Sequence, residues 1–306
     1  MNPNTMYDIK YSNTLIVLTV LIFQIVGCKQ LPEKFEDVDK LSKVNFHHVH
    51  LNVTDRDSTI AYYQKYFGAT QVKYRDRVDA LFTEKSFLLM NLVDTAPPTH
   101  LGSSLWHIGW SGVDGQSEFD WRVKEGIAVH TPITPLGKGK NFYMYFRGPE
   151  NEVIEVFTGN KNHRFEHIHL LSTNVDKTMN WFESHLGLIP TSEDVKYFGK
   201  NELRRKWNRL KTNNINIIVF GKSVGEVSWW PNKEIKPTDG SAIDHIGFST
   251  ENIEHLRNKM RSDGVDIVHD IKIDPIHGMK SFFVRGPDSL LVEIVEEKLI
   301  PEGIWH

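Results

Sequence analysis

Phe46-His47-His48-Val49-His50-Leu51 is the stretch that decides the fold, because the chain writes it twice. Phe165-Glu166-His167-Ile168-His169-Leu170 repeats it 119 positions later. The same step carries Tyr63 to Phe182 and Gly68 to Gly187. A second correspondence runs at a step of 138. Trp106-His107-Ile108-Gly109-Trp110 matches Asp244-His245-Ile246-Gly247-Phe248, Arg147-Gly148-Pro149 matches Arg285-Gly286-Pro287, and Glu155 matches Glu293. The second copy therefore carries 19 additional residues between Gly187 and His245. Each copy holds histidines and a glutamate in the same order.

The 306 residues suffice for two domains of ordinary size. With 40% hydrophobic and 25% charged residues the composition is that of a soluble globular protein. A net charge of −3 gives no reason to expect a nucleic acid or an anionic membrane surface as a partner.

Leu15 to Val26 is a mostly apolar run preceded by Lys10. It is shorter than the roughly 20 residues that span a bilayer, but it suits the core of an export signal. It ends in Ile25-Val26-Gly27-Cys28, and Cys28 is the only cysteine, so no internal disulfide accounts for it. This resembles the lipobox of bacterial lipoproteins, which implies cleavage before Cys28 and acylation of its thiol. Residues 1–27 are then a signal peptide and 28–43, charged and poor in apolar residues, a tether. The expected location is the cell envelope, lipid-anchored on a periplasmic or outer-membrane face, with the membrane as a partner through the anchor.

From Val44 to Val53 apolar and polar residues alternate as in a strand, which puts His48 and His50 on one face and His47 on the other. Asp55 to Ser58 start a helix with Ile60, Tyr63 and Phe67 on one side and Gly68 at its end. Three short strands follow, around 71–74, 80–83 and 87–92. The order strand, helix, three strands then recurs from Leu105, from Phe165 and from Ile243. The domains are expected at 44–158 and 164–296, with a tail at 297–306. The additional residues of the second copy fall at the basic stretch Arg204–Lys211 and around Trp229-Trp230-Pro231. Packing over the sheet is the reading given to that tryptophan pair.

Four such modules in two pairs resemble the vicinal oxygen chelate superfamily, which includes glyoxalase I, extradiol dioxygenases and bleomycin-binding proteins. The resemblance covers Val44 to Glu296. It rests on H-x-x-L-x-V-x-D at His48–Asp55, Tyr62-Tyr63…Phe67-Gly68, H-I-G-W/F and R-G-P…V/I-E, all in register twice. It implies an α+β fold of two tandem domains, each of two βαβββ modules forming a cupped mixed sheet around a divalent metal. The implied ligands are His48, His107 and Glu155 in the first domain, and His167, His245 and Glu293 in the second. A lone strand histidine is ordinarily a hydrogen-bonded core residue. Here the second histidine and the glutamate stand 48 residues apart in both copies, a register that unrelated histidines would not hold. Imidazoles with one carboxylate accept Fe(II), Mn(II) or Zn(II) alike. His50 and His169 share the ligand face and are expected to line the pocket and touch substrate.

Glyoxalase I and methylmalonyl-CoA epimerase take a further ligand from the last strand of the first module. Leu89 and Ile218 occupy that place here, so both sites are expected to keep an open face, as in extradiol dioxygenases. The tyrosine that such enzymes carry ten residues before the ligand glutamate corresponds to Tyr145, and to Phe283 in the second domain. Their catalytic histidine has its nearest candidate in His277, which belongs to the second domain while the tyrosine belongs to the first. Lys138 and Lys140 precede a pocket strand and can hold an anionic group or simply line a solvated loop. The expected function is a metalloenzyme acting on a small oxygen-rich substrate through dioxygenase-like or isomerase/lyase chemistry. The alternative is a ligand-sequestering protein of the bleomycin-resistance type, which would not need six retained ligands.

Overall fold

The chain folds as α+β with four βαβββ modules in tandem. The computed structural model describes residues 44–84, 86–100, 102–137, 140–191, 196–198, 205–212, 214–222 and 234–297. The signal segment with Cys28, the tether, Lys138, Trp229, Trp230 and the tail from 298 lie outside the described residues. Among the described residues no helix is long and apolar enough to cross a membrane.

The first module comprises β1 (Asn45–Val53), α1 (Arg56–Phe67), β2 (Thr70–Tyr74), β3 (Val78–Phe82) and β4 (Phe87–Leu92). The second has β5 (Leu105–Ser111), α2 (Gly115–Lys124), β6 (Val129–Pro135), β7 (Phe142–Arg147) and β8 (Val153–Phe157). In the third, β9 (Arg164–Ser172) and α3 (Val175–Leu186) precede β10 (Ile189–Pro190), β11 (Lys196–Phe198), β12 (Arg205–Lys211) and β13 (Asn216–Gly221). The fourth contains β14 (Ile243–Thr250), α4 (Ile253–Ser262), β15 (Asp266–Ile273), β16 (Lys280–Arg285) and β17 (Leu291–Glu296).

Local chemistry sets the helix ends. Asp55, Asp114, Asn174 and Asn252 each accept the backbone N–H three residues on, the N-cap geometry that satisfies one open donor. α1 and α3 stop at Gly68 and Gly187, which sit at φ +67° and +65°, a conformation a Cβ disfavours. The basic stretch read as inserted sequence is in fact a strand. β12 pairs with β13, and it buries Asn208 and Leu210 while its intervening residues stay more exposed.

Sheet pairing departs from the expectation. One sheet runs β15-β16-β17-β14-β1-β4-β3-β2, joining the first module to the fourth. The other runs β10-β12-β13-β9-β5-β8-β7-β6, with β11 on β12, and joins the second module to the third. Neither tandem repeat closes a sheet on itself. At the two seams β1 meets β14 antiparallel and β9 meets β5 antiparallel. Both sheets share one hydrophobic core, in which Phe46 stacks on Phe165 and meets Phe248 edge-on, while Trp110 packs against Phe165. Burial of such aromatic area is the main force holding the two sheets together.

Candidate metal centres

Each seam carries two β-bulges, and they place the side chains that matter. Between β1 and β14 the register slips at His47 and again at Asp244; between β5 and β9 it slips at Trp106 and at Glu166. A bulge inserts one residue and re-aims its side chain. His47 therefore does not point away from His48 as strict alternation requires: its Nδ1 lies 2.8 Å from His48 Nδ1, and its Nε2 is 2.9 Å from Glu297 Oε2. Asp244 reaches His245 Nδ1 at 2.5 Å, and Glu166 reaches His167 Nδ1 at 2.6 Å. A carboxylate on one ring nitrogen fixes the tautomer and presents the other nitrogen, the usual dressing of a metal-binding histidine. The signal for it, an acidic residue directly before the histidine, stands in the sequence.

In the first sheet His48 and His50 from β1, His245 from β14 and Glu293 from β17 bring one ligating atom each within 4.8 Å of the others. Glu293 Oε2 is 3.1 Å from His48 Nε2 and 3.2 Å from His245 Nε2. His50 stacks on His245 at 4.5 Å, and neither of its ring nitrogens has a hydrogen-bond partner. In the second sheet the cluster is His107 from β5, Glu155 from β8, and His167 and His169 from β9. Here Glu155 Oε2 gathers the Nε2 atoms of His167, His107 and His169 at 2.8, 3.0 and 3.6 Å. All eight residues are buried.

The six expected ligands thus lie in two clusters, but with exchanged partners. His48 meets His245 and Glu293 rather than His107 and Glu155, while His167 joins His107 and Glu155. The physical reason is the pairing of modules across the repeats. His50 and His169, expected to line the pocket, lie within the clusters themselves. They stand where a fourth donor could come from, since His50 pairs across strands with Leu89 and His169 with Ile218. The neighbouring strand offers an imidazole at the level where the expected ligand is missing.

Tyr145 is buried with its ring 5.1 Å from His107, and its hydroxyl bonds to Glu155. Phe283 stands at the matching place against His245. His277 belongs to the first-sheet site, its ring 5.1 Å from that of His50, so Tyr145 and His277 serve different sites. Lys140 is exposed.

Two glycines make room for these rings. A Cβ on Gly247 would lie 2.0 Å from the His48 ring, and one on Gly109 would lie 2.0 Å from the His167 ring. The H-I-G motif therefore reserves space for the histidine of the partner module.

Electrostatics divides the histidines. Burial holds His48 down at about 3 against the pull of Glu293, and it lowers His50, His107 and His169 as well. At His245 burial acts downward too, but Asp244 and Glu293 outweigh it and push the ring up to about 9. Glu155 and Glu166 raise His167 to about 10 in the same way. Burial works against ionisation of Glu155 and Glu293, yet hydrogen bonds from their histidines hold both carboxyls well below the usual range. Buried nitrogens left without partners cost about 1–3 kcal/mol each. Both ring nitrogens of His50 are such atoms, and the Nε2 atoms of His107, His167 and His169 converge on ionised Glu155, a donor set that fits a divalent cation.

Residues 45–156 and 164–294 match the model of the glyoxalase/bleomycin resistance protein/dioxygenase superfamily, and the chain belongs to it. This superfamily includes metal-dependent enzymes and binds small molecules. Among solved structures, glyoxalase I from Zea mays is similar at 14% identity and a TM-score of 0.66, over 85% of this chain and 95% of that one. A putative dioxygenase from Bacillus subtilis subsp. subtilis str. 168 is similar at 15% identity and a TM-score of 0.54, over 83% and 85%. At these identities the likeness concerns the fold alone. No curated protein matches the chain.

Proposed function

We propose that this chain is a divalent-metal-dependent enzyme for a small oxygen-rich molecule that offers two adjacent oxygens, with isomerase or lyase chemistry ahead of oxygen-dependent cleavage. The observation that carries this is the donor set, three imidazoles and one carboxylate in each buried cluster. The ion would act as a Lewis acid that polarises a substrate oxygen and orients the molecule. Four protein donors would leave two positions on an ion that takes six ligands, as many as two adjacent oxygens need. Cleavage of a chelated substrate by dioxygen requires one more.

The residues around the second-sheet cluster support proton handling. Burial, and then the charge of Glu155, hold the Tyr145 phenol well above its ordinary range, so it stays protonated and donates a hydrogen bond. The two strands place it directly opposite Glu155. Phe283, in the corresponding place of the first-sheet site, can only shape the pocket.

The test begins with metal analysis of the full chain purified without chelators, followed by a screen of sugar-derived and other hydroxycarbonyl compounds. Expected are bound Fe(II), Mn(II) or Zn(II) and a turnover that persists without oxygen. Turnover that stops on removing oxygen would return the chemistry to ring cleavage. A chain that takes up no ion would overturn the enzyme reading in favour of ligand sequestration.

We also propose that the protein is exported and lipid-anchored through Cys28, on the strength of the apolar run and its single cysteine. Cys28→Ser should abolish acylation and leave the longer precursor. A mature-sized serine variant that still partitions with membranes would refute this.

A further inference from the structure

We infer that His277 is a fifth protein ligand of the first-sheet site, which makes the two sites unequal in kind. This rests on the metal reading above and extends it to a residue outside both four-membered clusters.

His277 is 1% exposed, and its Nε2 has no hydrogen-bond partner. Its Nδ1 is held by Asp274 Oδ2 at 2.8 Å, and the same oxygen accepts the His277 backbone N–H at 2.7 Å. Asp274 Oδ1 accepts the Ile276 N–H at 3.2 Å, and the Asp274 carbonyl accepts the Gly278 N–H at 2.8 Å. The turn after β15 is thus a clamp that leaves the imidazole little freedom. Gly278 closes it at φ +69°, where a Cβ would lie 2.6 Å from Arg77 Nε.

The clamp gives His277 the same dressing as His245 and His167. In all three a carboxylate takes Nδ1 and Nε2 is the nitrogen presented, as metal-bound histidines usually are. For His245 and His167 that nitrogen faces the cluster glutamate. At His277 the carboxylate is present, but Nε2 faces no such partner. The ring stands nearly perpendicular to His50, whose two nitrogens are also without partners. Each neutral ring has one lone pair to give, so a cation bound with His48, His245 and Glu293 would take one nitrogen of His50 and the Nε2 of His277.

Among the described residues the second-sheet site has no equivalent. Glu155 already gathers all three imidazoles there, and the residue matching His277 is Gly139, which has no side chain to offer. Five donors leave a six-coordinate ion one position, so two adjacent oxygens cannot both bind at the first-sheet site. That site is then the tight, structural one. Turnover belongs to the second-sheet site, beside Tyr145.

The test uses the full chain with Glu155→Ala, which removes the second-sheet site, compared with the same chain also carrying His277→Ala. Both are loaded with Co(II), and affinity is read by competition with a chromophoric chelator. His277→Ala should weaken the remaining ion at least tenfold and change its visible absorption, and Asp274→Asn should move both in the same direction by less. Equal affinity and an unchanged spectrum in the His277 variant would overturn the inference and leave the ring to substrate or packing. So would a Glu155→Ala chain that binds no ion while the wild type binds one. Thermal unfolding of the metal-free forms checks the fold, and His277→Gln gives the same readout should alanine prevent folding. A wild type that takes up no metal at all would instead overturn the reading of the protein as a metalloprotein.

Discussion

His48→Ala should remove one metal ion per chain, and it should be the same ion that Glu293→Ala removes. The two residues lie 245 positions apart, yet Glu293 Oε2 is 3.1 Å from His48 Nε2. A double variant should therefore lose no more metal than either single one, because residues acting at one centre are not additive. His48→Ala combined with Glu155→Ala should behave oppositely and empty both sites, since Glu155 binds with His107, His167 and His169. The readout is metal content per chain after gel filtration. Loss of a ligand from a buried site should lower affinity by more than the 10- to 100-fold typical of an outer-shell partner. If His48→Ala and Glu155→Ala together cost only one ion, the sites are arranged within each repeat and the pairing of sheets described above is wrong.

How much of this was legible beforehand follows from what a repeat can and cannot encode. The α+β class, the four modules and the helix ends follow from His48, Gly68, His107 and Glu155 recurring in register. Each stands for a local rule of strand, cap or ligand chemistry. The pairing of modules is not local. β1 can accept β5 or β14, because Trp106–Trp110 and Asp244–Phe248 are the same motif with the same space-making glycine. Sequence similarity between the candidates removes the information needed to choose between them.

The bulges were hidden for a related reason. Alternation assigns His47 and Glu166 to the far face, and only the partner strand reveals that each is the extra residue in its ladder. β12 looked like an insertion because its charged residues, among them Arg209 and Lys211, dominate the stretch. Among its described side chains, Asn208 and Leu210 are the buried ones. His50 and His169 were placed near the ligands, but their entry into the clusters depends on the strand beside them. Their neighbours Leu89 and Ile218 leave the position open.

Stripping the metal should lower stability by more than any single substitution outside the two clusters. An ion bound only by the folded chain contributes about 4 kcal/mol when its free concentration is about 1,000 times its dissociation constant. Two sites then amount to about 8 kcal/mol. For a body of this size about 2–4 °C of melting temperature accompanies each kcal/mol, so a strong chelator should lower the midpoint by roughly 15–30 °C. The loss should be global rather than confined to one repeat, because each site ties together central strands from both repeats over a single core. The gap should also widen with pH. In the metal-free chain the neighbouring carboxylates push His245 up to about 9 and His167 up to about 10, above the ordinary 6.5. A raised pKa contributes stability that is complete below about 6.5 and lost as pH climbs through 9 and 10. Metal binding runs the other way, since the ion displaces those protons and is favoured as they leave. Melting curves with and without chelator between pH 6 and 9 measure both trends. A chelated protein that melts within a few degrees of the loaded one throughout that range would show that the clusters hold no ion that matters to the fold.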